Sequence, residues 1–260
     1  MEIHIVRPGE TLYSIAAQYR ADLSLLRALN GTPPDDGLAV GQTLVIRWAD
    51  TFHVVQPGET LSGIARRYGL PLRQLYRNNY PLGGQPAIRP GQTLVIAYRD
   101  PPGAGTYTNG YAYPFIPAPL LSAELPYMSY LTPFTYGITA EGGLLPLADE
   151  MLLAQARRLG SAPLMHLSTL TETDNFSSER AVALLTSPIR QEALIAQILE
   201  NIAAKGYQGL DVDFEYIPAA QREAYAGFIA ALRARLAPLG LPVIVALAPK
   251  TYARQPGLLY

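Results

Sequence analysis

The chain has 260 residues, 49% hydrophobic and 16% charged, and its 20 basic and 21 acidic residues leave a formal net charge of −1. That balance offers no electrostatic footprint for nucleic acid or an anionic membrane, and the absence of cysteine excludes disulfides and thiolate metal sites. His4, His53 and His166 stand far apart without ligand spacing, so neither a metal nor a cofactor is expected.

Met1 leads directly into Glu2-Ile3-His4-Ile5-Val6, without the basic region and apolar core of a signal peptide, and no apolar run is long enough for a membrane span. From here the first hundred residues repeat. Val6-Arg7-Pro8-Gly9-Glu10-Thr11-Leu12 recurs as Val55-Gln56-Pro57-Gly58-Glu59-Thr60-Leu61. Ile15-Ala16 recurs as Ile64-Ala65, Tyr19 as Tyr68, Asn30 as Asn79, and Gly41 to Ile46 as Gly91 to Ile96. The one-residue slip falls in the loops with Pro33-Pro34 and Gly83-Gly84, where insertion is tolerated.

Each unit reads strand, helix, helix, strand. His4 to Val6 and His53 to Val55 alternate as short strands, Pro-Gly makes a turn, and Thr11 or Thr60 is placed to cap a helix. Leu12, Ile15, Ala16 and Tyr19 follow at helical spacing. The second helix carries Leu23, Leu26 and Leu29, or Leu72 and Leu75, and ends at Asn30 or Asn79. Thr43 to Ile46 and Thr93 to Ile96 return as strands.

In Pro-Gly-Glu-Thr-Leu with the following Ile-Ala, both copies resemble LysM domains, one over residues 1–48 and one over 51–98. The resemblance implies modules that bind N-acetylglucosamine-containing polymers, peptidoglycan or chitin. The groove would lie between the loop of Gly9, Thr11 and Leu12 and the loop after Asn30, with Gly58, Thr60, Leu61 and Asn79 as counterparts. Backbone amides beside glycine suit a sugar's polar groups, and a leucine suits the acetyl methyl. The plainer alternative is that the glycines only turn the chain and the threonines only cap.

Residues 99–107, with Pro101-Pro102-Gly103, read as a semi-rigid linker. Strands and helices alternate after it, which predicts a parallel sheet with right-handed crossovers over 108–260. Expected strands are Gly110 to Pro114, Met128 to Tyr136, Leu164 to Thr169, Gly209 to Glu215 and Val243 to Ala248. Expected helices are Leu147 to Leu159, Ser178 to Ala204 in two pieces broken at Ser187-Pro188, and Ala219 to Leu236, with Gly206 and Gly240 as stops.

The fourth of these strands, Gly209-Leu210-Asp211-Val212-Asp213-Phe214-Glu215, concentrates the chemistry. Alternation at a period of two puts Asp211, Asp213 and Glu215 on one face and Leu210, Val212 and Phe214 on the other. A solvated outer face is the ordinary reading of a charge run. Here no Lys or Arg is interspersed and long helical patterns flank the strand, so the apolar face is expected to meet helices and the acids to point inward.

Gln208 to Glu215 resembles the signature of family 18 glycoside hydrolases, D-G-x-D-x-D-x-E on the fourth strand of a TIM barrel. It departs where the family's first Asp is Gln208, as often in the spore-cortex-lytic branch. The resemblance implies an α/β fold with about five of the eight strands of a TIM barrel, preceded by two small βααβ modules; the family's last three strands would be missing from the chain. It implies Glu215 as the acid that protonates the glycosidic oxygen and then activates water. Asp213 would orient a substrate acetamido oxygen that attacks the anomeric carbon, and Asp211 would share a proton with Asp213. Tyr113, Phe134, Tyr136 and Tyr216 are candidates to stack on sugar faces, with core packing as the alternative. Ser168, Thr169 and Lys250 are weaker rim candidates, and His166 reads as a packed strand residue.

The whole reads as a monomeric, peptidoglycan-directed N-acetylglucosaminidase associated with the spore cortex, spore coat or cell wall. A chitinase and a non-catalytic glycan-binding wall or coat protein are the alternatives.

Overall fold

Each repeat is built on its threonine cap. In the first, β1 (Glu2–Ile5) is followed by α1 (Leu12–Tyr19), α2 (Leu23–Leu29) and β2 (Thr43–Ile46), and β1 pairs with β2 antiparallel. Gly9, at φ 80°, takes the left-handed turn that a side chain would resist. Thr11 Oγ1 then accepts from Ser14 N at 3.1 Å, while Ser14 Oγ accepts from Thr11 N at 2.9 Å, a reciprocal capping box. Val6, Leu12, Ile15, Ala16, Leu26, Leu44 and Ile46 form the core, with Trp48 packed against it.

The second repeat has the same order, β3 (Ala49–Val54), α3 (Leu61–Arg67), α4 (Leu72–Asn78) and β4 (Thr93–Tyr98), with β3 and β4 antiparallel. Both domains are closed by an asparagine. Asn79 Nδ2 donates to Leu75 O and Val95 O, each at 2.9 Å, and its Oδ1 accepts from Val95 N at 2.8 Å. Asn30 does the same for α2 and β2 through Leu26 and Val45. The side chain thus continues the sheet's hydrogen bonding across to the helix end.

The computed structural model describes residues 1–33, 37–100, 105–173 and 175–247. Pro34, residues 101–104 of the Pro-Gly linker, the strand end at Ala248 and Lys250 lie outside them. The chain divides into two compact units, Met1–Thr106 with Ala118–Tyr127, and Tyr107–Pro117 with Met128–Tyr260. No described helix is long and apolar enough to cross a membrane.

Beyond the repeats come β5 (Asn109–Ala112), α5 (Ala118–Glu124), β6 (Tyr130–Pro133), α6 (Glu150–Leu159), β7 (Ala162–Pro163) and β8 (Met165–Ser168). Then follow α7 (Ser178–Leu185), α8 (Pro188–Lys205), β9 (Leu210–Asp213), α9 (Arg222–Leu236) and β10 (Val243–Val245). The helix α5 is an addition to the expected elements; it belongs to the first unit. All strand pairs of the second unit are parallel: β5–β6, β6–β7, β8–β9 and β9–β10. A parallel bridge from Tyr136 to Leu167 carries the end of the second expected strand onto β8, so the strands neighbour one another in chain order. No closed barrel is formed among the described residues.

The helix break at Ser187 is local chemistry: its Oγ accepts from Arg190 N and Pro188 opens α8, where a missing N–H costs nothing. Gly206 ends α8 in the left-handed region. Leu210, Val212 and Phe214, all fully buried, share one core with Leu184, Ile198, Phe228 and Leu232 from the surrounding helices. The other face of β9 is left to the acids. Gly209 permits the approach of β9 to its neighbours, since a Cβ there would sit 2.8 Å from Leu164 Cδ2 and 2.9 Å from Pro242 O.

Candidate active site

Asp211 is completely buried. It stands opposite His166 in the β8–β9 register and reaches across to β5 and β6. Its Oδ2 accepts from Tyr111 OH at 2.8 Å and Asn109 Nδ2 at 3.2 Å. Thr132 Oγ1 lies 3.4 Å from the same oxygen and 2.9 Å from Asn109 Oδ1, so its one hydrogen serves both. Asp211 Oδ1 has no hydrogen-bond partner among the described residues. Burial raises the affinity of Asp211 for a proton, and the three donors oppose that.

Asp213, two residues on, has a side chain 15% exposed. Burial, then the charges of Glu215 and Asp211, push its carboxyl up to about 6. Glu215 is partly buried and follows just beyond the end of β9. Along the chain the three carboxyls therefore pass from the sealed, donor-lined Asp211 to the partly buried Asp213 and Glu215. Gln208 is exposed at the opposite end of the strand, its N–H bound to Pro163 O at 2.7 Å.

The aromatic candidates separate. A cleft of about 360 Å³ is lined by Tyr113, Phe134, Thr135, Leu145, Leu170 and Glu172, among others. Tyr113 and Phe134 sit 5.0 Å apart, and Tyr113 stacks on the exposed Phe115 at 5.0 Å and 18°. Asp211, Asp213 and Glu215 do not line this cleft; Phe134 links the two regions, its ring 4.9 Å from that of His166. Tyr216 is exposed just past Glu215.

Tyr136 is a correction. It is buried, and its hydroxyl donates to Asp149, as does that of Tyr207, while Lys205 Nζ pairs with Asp149 at 2.7 Å. The ring is committed to a polar cluster joining a strand end to α6 and α8, and no face is free for a sugar. Ser168 and Thr169 are also buried rather than at a rim. Sequence reasoning passed over Asn109, Tyr111 and Thr132. The alternation of Asn109, Tyr111 and Tyr113 was the available signal for one shared face.

In the repeats, Gly9 and Gly58 lie exposed on matching left-handed turns, and Thr11 and Thr60 are exposed caps. Leu12 and Leu61 are buried in the domain cores, and the Asn30 and Asn79 amides are spent on backbone groups, which removes these four side chains from a surface groove. A feature unforeseen from the sequence underlies the loop instead. His4 bridges Tyr19 OH (3.2 Å) and Glu10 Oε2 (2.9 Å), and the same oxygen accepts from Arg7 N at 2.7 Å. His53, Tyr68, Glu59 and Gln56 reproduce it in the second copy.

The LysM domain model matches residues 4–47 and 53–97, so the chain carries two LysM domains. It is 33% identical over 270 residues to the cortical fragment-lytic enzyme of Bacillus subtilis (strain 168), an alignment covering 100% of this chain and 61% of that protein. The crystal structure of the Bacillus cereus spore cortex-lytic enzyme SleL matches with a TM-score of 0.67 and 28% identity, over 98% of this chain and 60% of that one. A class V chitinase from Pseudomonas fluorescens Pf-5 shares the fold, with a TM-score of 0.55 and 20% identity over 60% of this chain and 49% of its own. The chain thus spans about 61% of the length of the curated relative it matches at 33% identity.

Proposed function

We propose that the protein is a glycan-anchored glycoside hydrolase of the family 18 type that cleaves β-1,4 bonds at N-acetylglucosamine in peptidoglycan, that of the spore cortex above all. In this reading the parallel strands β5 to β10, with β7 and β8 as two segments of one strand interrupted at Leu164, supply five strands of a TIM barrel, and the LysM domains hold the enzyme on its polymer. The observation that carries it is the set of three alternating carboxyls, Asp211 and Asp213 on β9 and Glu215 just beyond its end, graded from the fully buried Asp211 to the partly buried Glu215. Likeness to cortex-lytic proteins over nearly the whole chain supports the choice of polymer.

Glu215 is assigned as general acid: it protonates the glycosidic oxygen as the bond to the anomeric carbon breaks. The substrate's acetamido oxygen attacks that carbon, and Asp213 orients the acetamido group and offsets the positive charge it acquires. Glu215, now a carboxylate, then takes a proton from the water that opens the intermediate. Asp211 lies too deep to touch substrate; held by Tyr111, Asn109 and Thr132, it supplies the charge that keeps a proton near Asp213. Tyr113, Phe134 and Tyr216 are assigned to sugar faces, and the loops at Gly9, Thr11, Gly58 and Thr60 to glycan capture.

Digestion of purified cortex peptidoglycan tests this. New reducing ends at N-acetylglucosamine should appear with the wild type and fall by about 10²–10⁴-fold in Glu215→Gln. Equal activity in both would remove Glu215 from its role. Faster cleavage of chitin oligomers would favour a chitinase. Retention on the polymer with no cleavage by either protein would leave a glycan-binding wall or coat protein.

A further inference from the structure

His166 has no part in the chemistry above, yet its side chain is buried beside the carboxyls. It is completely buried, and neither ring nitrogen has a hydrogen-bond partner among the described residues. A buried imidazole without partners forfeits what water gave it, so its placement calls for a reason. The ring is boxed in: Tyr111 meets it edge-on at 5.3 Å and Phe134 lies at 4.9 Å. Its Nε2 lies 3.6 Å from Asp213 Oδ2. That separation is a few tenths of an ångström beyond a hydrogen bond, within reach of a small rotation of Asp213.

We infer that His166 is a positioning residue for Asp213, a neutral imidazole whose Nε2–H is held toward the Asp213 carboxylate to orient it and favour its ionised form. The inference rests on the assignment of Asp213 to the reacting centre. Burial pushes the imidazole down to about 4, so near neutrality it is an uncharged donor rather than a cation. The groups acting on Asp213 are otherwise repulsive: Glu215 beyond the strand end and Asp211 behind it. Around them, Tyr111 on β5 is tied to Asp211, and the buried Tyr225 on α9 has its phenol raised, chiefly by burial. A donor facing Asp213 opposes the two repulsions without introducing a competing positive charge. The aromatic box holds the ring so that Nε2 keeps its aim.

The test needs no catalysis, so its failure is separable from failure of the hydrolase reading. In the 260-residue chain, carboxyl carbon resonances are followed by NMR through a pH titration, with Asp213→Asn identifying Asp213. Removing the donor in His166→Phe should raise the Asp213 midpoint, strengthening proton affinity about tenfold, the lower range for a hydrogen bond to a charged group. His166→Gln, which keeps an N–H donor, should recover at least half of that shift. An unchanged or lowered midpoint in His166→Phe, or equal shifts in both variants, would overturn the inference. Should His166→Phe not fold, the ring nitrogen shifts of wild-type His166 decide. A neutral ring protonated at Nε2 across the neutral range is expected, and a ring protonated at Nδ1 overturns it.

Discussion

Asp213 pays for its position at neutral pH. An ordinary aspartate has a value of 3.8, and here burial, Glu215 and Asp211 raise it to about 6. The folded protein therefore holds this proton more tightly than the unfolded chain. Stability from this group is complete below the ordinary value, declines as pH rises through about 6, and stays lower above. Asp213→Asn should raise the melting temperature near pH 7, by a gain of at most about 3 kcal/mol, and the gain should vanish near pH 4. A gain of the same size at both pH values would mean that packing, not charge, is responsible. The alternation of acids along β9 was legible in the sequence because period two needs only neighbouring residues. That Asp211 is gripped by Asn109 and Tyr111, about a hundred positions earlier, was not.

In the LysM domains the His–Glu pair locks the turn, and it acts on pH in the opposite sense. The Arg7 backbone N–H first, and His4 second, hold the Glu10 carboxyl below the usual range. Its contribution is present above the ordinary carboxylate value and is lost as pH falls through the lowered one. Trp48, the sole tryptophan, packs on the first domain's core and donates to Tyr19 O at 3.0 Å, so its fluorescence reports that domain. Denaturant unfolding followed at Trp48 should weaken on acidification in the wild type, and Glu10→Gln should flatten that dependence. In the second domain Asn79→Ala would strip partners from Val95 N, Val95 O and Leu75 O in a buried place. A loss of about 2–4 kcal/mol is expected, read as faster hydrogen exchange at Val95. Helix starts and stops at Thr11, Thr60, Ser187 and Gly206 were readable because capping is local. The helix α5 was not, since Ala118–Glu124 is short and carries no marked period.

At the scale of the whole molecule, the proposed glycan binding by two LysM domains on one chain would make the second binding event intramolecular. Gly9→Val and Gly58→Val each force a side chain onto a left-handed turn and should disable one loop. In sedimentation with insoluble peptidoglycan, each single variant should bind about 10²-fold more weakly than the parent, and the double variant should not sediment above a non-glycan control. Wild-type retention in both single variants would remove these loops from glycan binding.

From the sequence alone came the duplicated βααβ unit, the parallel strands of the second unit, the helix caps and the alternation of Asp211, Asp213 and Glu215. Each depends on spacing within a few residues or on self-similarity, and both are present in a linear string. The tertiary structure alone decided which side chains each face meets. In strands covered on both sides, period two says which residues travel together but not where they point. Packing between elements therefore put Tyr136 among Asp149, Tyr207 and Lys205, sank Leu12 and Leu61 into their cores, and brought His166 within reach of Asp213.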